Sequence, residues 1–283
     1  MTSSAQKILL PISSQEQLLL KPSTLLAEAA CLPVSDVKRA MKKGAVWLTR
    51  QGTHKRIRRA DTTIKLGDQL GLYYNEAVLS QQVDDCILLH DKQHYSIWFK
   101  PAGVLSQGSL WGDHTTINRF VEGYFTPSRP AFIVSRLDKS ASGLMIIAHG
   151  RKAAAKLSAL FEDKKIEKIY CAIVEGEAQH LNALFIDEPI DDKPAQSIVT
   201  CLQSVAGRSL VQVDIKTGRK HQIRKHLALI NFPIVGDRLH GLASKGDIDL
   251  QLRCSTLRFI SPFTQLECNY LLPNELQLKL PAE

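Results

Sequence analysis

The sequence predicts an α+β protein in which a small N-terminal α/β unit precedes a larger domain with a mixed, mainly antiparallel sheet. The larger part of the chain carries many strand-like segments and one clear helix, which favours antiparallel pairing over alternating βαβ units. The strand-like segments are 95–99, 131–135, 143–148, 168–174, 197–202, 209–215 and 250–260. Positive charge is also concentrated near the start of the chain, which sets the N-terminal unit apart.

The N-terminal unit is predicted to contain a leading arm, two helices and a few strands. Residues 1–17 are interpreted as the arm, and PSTLLAEAAC over 22–31 as the first helix. The second helix is expected to begin at Ser35, which suits the N-cap, and to end before Gly44, which suits the residue after a helix. The segments AVWLT and TTIKLGDQLGLYY carry strand signals, and the polar stretch RQGTHKRIRRAD between them indicates a turn.

These elements divide the chain into three parts. We expect the N-terminal unit to span residues 1–78, a linker residues 79–92, and the larger domain residues 93–283. In the larger domain, RKAAAKLSALFEDKK repeats apolar residues at helical spacing and so predicts a helix. A second helix over about 221–230 would place Arg224 at the margin of its buried face, where the side chain could point toward a site.

The charge distribution indicates a polyanionic partner. The formal net charge is +8, and the segment 38–65 alone holds ten cations against one acid, Asp61. A localised basic patch is the expected footprint of a protein that binds a phosphate backbone, most often nucleic acid. A basic surface that is merely solvated is the alternative. The ten cations are Lys38, Arg39, Lys42, Lys43, Arg50, Lys55, Arg56, Arg58, Arg59 and Lys65.

Several classes of protein are not indicated. No apolar run approaches the roughly 18 residues that cross a bilayer, and the first residues do not read as a secretory signal. The six cysteines are scattered, which predicts neither a zinc site nor a disulfide framework and favours a reducing cytoplasm. Glycine-rich nucleotide motifs are missing, so we expect no cofactor and no metal. We also expect a monomer.

Three short motifs could carry chemistry. In SRLDKSASGL, Asp138 lies two residues after Arg136; a carboxylate near an arginine stays ionised and can act as a nucleophile or base, although a salt bridge in a turn is the simpler interpretation. In KIY, Lys168 and Tyr170 would share one face of a strand, where an aromatic ring serves either the core or a bound base. TGRKHQIRKH places several cations directly after a turn. A charged helix face that is merely solvated is the alternative, but it would not need so many specific residues in a fixed order.

Together with KPAG and PIVGD, these motifs resemble the RluA-type family of RNA pseudouridine synthases. The resemblance covers about residues 90–265, with the motifs in the family's order. The segments SDVKRAMKKGAVWL and IKLGDQLGLYY are also similar to the small RNA-binding module of the ribosomal-protein S-four type, although the usual Asn-Gly turn is missing. Ser135 and Ala141 depart from the family pattern beside the first motif.

The resemblance implies an isomerase that converts uridine in RNA to pseudouridine without a cofactor. Asp138 would be the essential carboxylate, Tyr170 would pack against the flipped base and assist proton transfer, and Arg224 would pair with Asp138. Arg136 would hold the place of the extruded nucleotide, and the small residues after Asp138 would let RNA approach closely. The residues expected to bind RNA are Arg136, Lys168, Arg219, His221, Lys38, Arg39, Lys42, Lys43, Arg56, Arg58 and Arg59.

The RNA target is left open between two classes. The S-four-type module favours ribosomal RNA over transfer RNA. A non-catalytic RNA-binding or ribosome-assembly factor is a rival, which the presence of Asp138 in its motif disfavours. A glycoside hydrolase is a second rival, but that chemistry uses two carboxylates around one bond and the motifs offer one conspicuous acid.

Overall fold

The computed structural model describes residues 5–244 and 247–280. The chain divides into two compact units. The smaller unit combines the chain up to residue 83 with residues 107–120, and the larger unit combines residues 84–106 with residues 121 onward. No helix in the described ranges is both long and apolar enough to cross a membrane.

The smaller unit is a four-stranded antiparallel sheet with helices. The strands lie in the order β1-β4-β2-β3. Its elements are β1 Gln6–Pro11, α1 Gln15–Leu18, α2 Pro22–Ala30, α3 Val34–Lys42, β2 Val46–Arg50, β3 Thr53–Arg56, β4 Gln69–Tyr74 and α4 Glu76–Leu79. The core of the unit consists of fully buried side chains such as Leu26, Val37, Met41, Leu70 and Leu72, so helices α2 and α3 cover one face of the sheet.

Three expectations for this unit are corrected. Residues 6–11 are not part of an arm but form β1, because Ile8 and Leu10 alternate with exposed neighbours and pack on the core when β1 pairs with β4. Helix α3 begins one residue before Ser35; Pro33 is the N-cap, and its carbonyl accepts the amides of the first turn. The basic turn region contains a short strand, β3, which pairs with β2.

The larger unit is built on a ten-stranded mixed sheet. Eight strands follow the order β10-β11-β12-β9-β13-β8-β6-β5, with β14 beside β13 and β7 beside β8. The elements from residue 87 onward are β5 Ile87–Lys92, β6 Tyr95–Lys100, α5 Ile117–Tyr124, β7 Phe132–Ile133, β8 Ser142–Ala148, α6 Arg151–Glu162, β9 Glu167–Glu175, β10 Leu184–Ile186, β11 Ser197–Val205, β12 Arg208–Ile215, α7 Gln222–Leu229, β13 Leu252–Ile260, β14 Glu267–Leu271 and the 3-10 helix Asn274–Leu276.

The predicted fold class is confirmed. Among the strand pairs of this sheet in the described chain, β13 and β8 are parallel and the others are antiparallel. One boundary differs from the expectation: residues 87–92, assigned to the linker, form β5 at the edge of the sheet. None of these six side chains is buried and three of them are polar, as the edge position allows, so the strand signal in the sequence is weak.

The small residues after Asp138 serve the sheet. Ala141 and Ser142 are buried, and a Cβ on Gly143 would lie 2.3 Å from the backbone oxygen of Cys254. Strands β8 and β13 run parallel at this point, with Cys254 opposite Gly143. Strand β13 occupies the space beside Gly143, so the expectation that the small residues leave room for RNA is wrong for residues 141–143.

Candidate active site

Asp138 lies on the loop between β7 and β8, and the loop is fixed from within the larger unit. The Ser106 hydroxyl donates to the Leu137 carbonyl at 2.7 Å and accepts the Leu137 amide at 3.0 Å. The amide of Gly103 donates to the Lys139 carbonyl at 2.8 Å. The Asp138 side chain is 31% exposed, so a well-held backbone presents a reachable carboxylate.

Lys100, the lysine of KPAG, also holds this loop in place through hydrogen bonds to backbone carbonyls. Its buried ammonium donates to the carbonyls of Pro101, Val104 and Ala141 at 3.0, 3.0 and 2.7 Å. Burial lowers the pKa of Lys100 to about 8, against the opposing influence of nearby acidic groups that include Asp138. The sequence alone predicts no role for this side chain. The structure gives it one: it ties the start of β8 to the chain after β6.

Arg224 links Asp138 to a second carboxylate. Arg224 is 4% exposed and Asp237 is 1% exposed. Nε and Nη2 of Arg224 donate to Oδ2 and Oδ1 of Asp237 at 2.7 and 2.6 Å, while Nη1 lies 3.6 Å from Oδ2 of Asp138. Burial opposes ionisation of Asp237, but hydrogen bonds from Arg224 and from the amides of Leu239 and His240 outweigh it and lower the pKa of Asp237 to about 2. Asp237 thus holds the guanidinium in place, with Nη1 directed at Asp138.

Two histidines complete the surroundings of Asp138. His221 stands just before helix α7 with a left-handed backbone, φ 55°. Its Nε2 lies 3.7 Å from Oδ2 of Asp138, and its Nδ1 lies 2.9 Å from Nε2 of His240. The sequence predicted RNA contact for His221 and nothing for His240. The structure places His221 beside the carboxylate and His240 next to His221.

Tyr170 sits on β9 in the buried part of the site. Burial raises the pKa of Tyr170 well above its ordinary value, and the neighbouring Cys254 and Asp138 act in the same direction. The phenol is therefore neutral at physiological pH and can donate a proton or pack as an apolar ring.

Two of the other predicted contacts of the larger unit lie at a surface cleft of about 820 Å³. Lys168 and Arg219 line this cleft, at the ends of β9 and β12. Burial lowers the pKa of Lys168, whose ammonium lies 5.7 Å from the centre of the Phe161 ring. Arg219 donates to the Pro194 carbonyl at 2.9 Å. Arg136 is exposed, as a residue that meets RNA must be.

In the smaller unit, several predicted RNA contacts are held by the protein itself. Arg39 pairs with Glu76, and Lys43 donates to the Leu79 carbonyl. Arg58 pairs with Asp113 at 2.5 Å. Lys38, Lys42 and Arg59 are exposed and have no side-chain partner among the described residues.

Arg56 is engaged most heavily. It donates to the carbonyls of Gly44 and Ser109 and lies 3.5 Å from Asp113, and its guanidinium stacks 4.2 Å from the Trp47 ring. Burial lowers the pKa of Arg56 despite the carboxylate of Asp113. Its charge is thus directed at the protein, and the patch available to phosphates is smaller than the cation count suggests.

Comparison with known proteins finds RNA pseudouridine synthases that are similar to this chain. The family described as RNA pseudouridylate synthase matches residues 94–229. The chain is 33% identical over 201 residues to a tRNA pseudouridine synthase C from Vibrio cholerae, covering 59% of this chain and 82% of that protein. It is 27% identical over 281 residues to a ribosomal large subunit pseudouridine synthase C from Vibrio cholerae, covering 88% of this chain and 87% of that protein.

A solved structure shares the fold. Human RNA pseudouridylate synthase domain containing 1 superimposes with a TM-score of 0.57 at 19% identity, covering 70% of this chain and 86% of the human chain. The chain belongs to the RNA pseudouridine synthases and, within them, to the RluA-type family. It is an isomerase that acts on uridine in RNA, which confirms the family and the reaction expected from the motifs.

Proposed function

We propose that Asp138 is the essential carboxylate of this isomerase. The observation that carries the proposal is the distance of 3.6 Å between Asp138 and the locked guanidinium of Arg224. A locked guanidinium next to a partly exposed carboxylate holds that carboxylate in a defined position, as a nucleophile or a base requires. Both contacts to Asp138 from Arg224 and His221 use Oδ2, so Oδ1 is the oxygen presented to the ribose.

The proposed reaction begins with a uridine that has left the stack, because a stacked nucleotide exposes neither face of its glycosidic bond. Asp138 attacks C1′ of the ribose or abstracts a proton from the sugar, and the bond between C1′ and N1 breaks. The uracil turns and C5 bonds to C1′, as the bond between Asp138 and C1′ breaks or the abstracted proton returns to the sugar. The hydrogen on C5 then leaves as a proton, and N1 gains one. Tyr170 packs against the base and assists proton transfer, and Arg136 fills the place that the nucleotide left.

We propose ribosomal RNA as the target. The alignment with the ribosomal large subunit enzyme covers 88% of this chain and so must reach into residues 1–78, whereas the alignment with the tRNA enzyme covers 59%. Residues 1–78 would act as an RNA-binding module of the S-four type that uses the exposed Lys38, Lys42 and Arg59. The six cysteines, which are all free, suit a cytoplasmic monomer.

The test uses purified protein and RNA carrying tritium at C5 of uridine, because pseudouridine formation releases that tritium to water. We expect release from large-subunit ribosomal RNA and not from bulk transfer RNA. Asp138→Asn should lower the single-turnover rate at least about a thousandfold, since the amide neither attacks nor takes a proton. Asp163→Asn, which alters an exposed acid paired with Lys165, is the matched control.

Each other outcome has a distinct meaning. Release from transfer RNA alone would favour the tRNA-directed alternative. Tight RNA binding by the wild-type protein with no release from either RNA would favour a non-catalytic assembly factor. An active Asp138→Asn variant would remove Asp138 from the mechanism.

A further inference from the structure

His221 and His240 form a pair of imidazoles directly beside Asp138. Nδ1 of His221 and Nε2 of His240 are 2.9 Å apart, and the rings meet edge to face at a centroid distance of 5.1 Å. The other ring nitrogen of His221 lies 3.7 Å from Oδ2 of Asp138. The three side chains therefore form a line from a loop residue, through the start of α7, to the carboxylate.

The contact between the two imidazoles allows two distributions of protons, of which one is favoured. A neutral imidazole has one N–H donor and one acceptor nitrogen, so the short contact needs a proton on one of its two nitrogens. If Nδ1 of His221 held that proton, its Nε2 would turn a lone pair toward the Asp138 carboxylate. If Nε2 of His240 holds it, Nε2 of His221 carries an N–H that faces the carboxylate. Electrostatics favours the second arrangement.

Both histidines are anchored independently of the contact between them. The His240 amide donates to Oδ1 of Asp237 at 3.0 Å, so the carboxylate that locks Arg224 also locks the backbone of His240. The carbonyl of His221 accepts the Lys225 amide at 2.9 Å in the first turn of α7. The ring contact is therefore set by two fixed backbones.

The charges around the pair favour neutral rings. Burial lowers the pKa of His221, with Arg224 and Lys220 acting in the same direction and Asp138 opposing them. Burial also lowers the pKa of His240, with Arg224 and Lys225 in the same direction and Asp237 and Asp138 opposing them. Neutral rings are the state in which the tautomer of one ring determines that of the other.

We propose that His240 is a positioning residue whose Nε2–H holds His221 in the Nε2–H tautomer, so that Asp138 is oriented by His221 and Arg224 together. The proposal rests on the proposed role of Asp138. It explains why an otherwise unassigned loop histidine lies within hydrogen-bond distance of the site. The contact from His221 at 3.7 Å is an electrostatic one in the free enzyme, and it is short enough to tighten when substrate binds.

The test compares two variants of His240. Gln can present its amide N–H near the position of Nε2, whereas Phe keeps the ring and loses the donor. We expect His240→Phe to slow single-turnover tritium release by about a hundredfold, as a displaced catalytic group does, with KM nearly unchanged. His240→Gln should restore the rate to within about threefold of the wild type.

Nitrogen NMR of ring-labelled histidine provides a readout that a merely structural role would not change. His221 should carry its proton on Nε2 in the wild type and in His240→Gln, and should be a tautomeric mixture in His240→Phe. A proton on Nδ1 of His221 in the wild type, or a His240→Phe variant with the wild-type rate, would overturn the proposal. If His240→Phe does not fold, the wild-type tautomer decides. The tautomer is measured without substrate, so it stands even if Asp138 proves not to be essential.

Discussion

Arg224 and Asp237 form a buried two-point ion pair that leaves one guanidinium nitrogen directed at Asp138. Asp138 is therefore not the sole counter-ion of Arg224. In the proposed reaction, Asp138 loses its negative charge whether it becomes bonded to the sugar or protonated. Arg224 then still has Asp237, so the step does not leave an unpaired charge in the interior, which would be costly.

Removing Asp237 should therefore damage both the fold and the site. In Asp237→Asn, the buried guanidinium loses its fixed partner, and we expect the free energy of unfolding to fall by about 3–5 kcal/mol. Denaturant unfolding measures this change. The control is Asp249→Asn, whose side chain is 75% exposed and pairs with Arg238 at 3.5 Å. It should cost less than about 1 kcal/mol, and equal losses in the two variants would contradict the role given to Asp237.

Lys100 should make stability depend on pH. Its pKa is about 8 in the folded chain against an ordinary 10.5, so between these values the unfolded chain binds the proton and the folded chain does not. Stability therefore rises with pH across this window, by about 3 kcal/mol for this group. Lys100→Met lacks the titration, so the stability difference between wild type and variant should grow from pH 7 to pH 10.5. Urea unfolding across that range measures it, and a difference that does not vary with pH would contradict the lowered pKa.

Two glycines of the smaller unit separate backbone strain from a steric clash. Gly44 and Gly52 have nearly the same left-handed backbone, with φ of 80° and 77°. A Cβ at Gly52 meets nothing within 4 Å, whereas one at Gly44 would lie 2.2 Å from Oδ1 of Asp113. Gly52→Ala should cost about 1 kcal/mol, and Gly44→Ala about 2 kcal/mol more because Asp113 must leave Arg58. Thermal unfolding of both variants measures the difference, and equal melting temperatures would show that Asp113 moves without loss.

The exposed lysines of α3 should control the salt dependence of RNA binding. Each phosphate contact contributes about 0.7–0.9 to the slope of log affinity against log salt concentration. Lys38→Ala combined with Lys42→Ala should therefore reduce that slope by about 1.5, measured by RNA titration at several salt concentrations. Lys92→Ala combined with Lys152→Ala removes the same charge from exposed positions of the larger unit. The same reduction in that control would mean that net charge matters and the module does not.

The order of the motifs was enough to predict the family and the reaction, and local apolar patterns predicted seven of the ten strands of the larger sheet. Strands β5, β10 and β14 were not predicted. The order of the motifs did not predict a role for Asp237, the last residue of PIVGD. That role depends on the contact between Asp237 and Arg224, which only the structure shows. His240 had no signal at all, since one loop histidine becomes meaningful only when its neighbour is known. Strand β1 was missed because two inward residues, Ile8 and Leu10, are too few to separate a strand from an arm.

The basic patch shows a different limit of sequence reasoning. Counting cations treats each as free, but Arg58 finds its partner Asp113 at a separation of 55 residues. Arg39 finds Glu76 at a separation of 37 residues. No local pattern announces such pairs, so composition overestimates the charge that a folded surface can offer to RNA.

The close approach of β13 to Gly143 affects how relatives that have lost their activity can be recognised from their sequences. A descendant that lost its carboxylate and its activity would still need this glycine, because any side chain there would push two strands of the central sheet apart. The glycine at the end of the motif is therefore a marker of architecture. A search for inactive paralogues should disregard it and ask what stands at the position of Asp138.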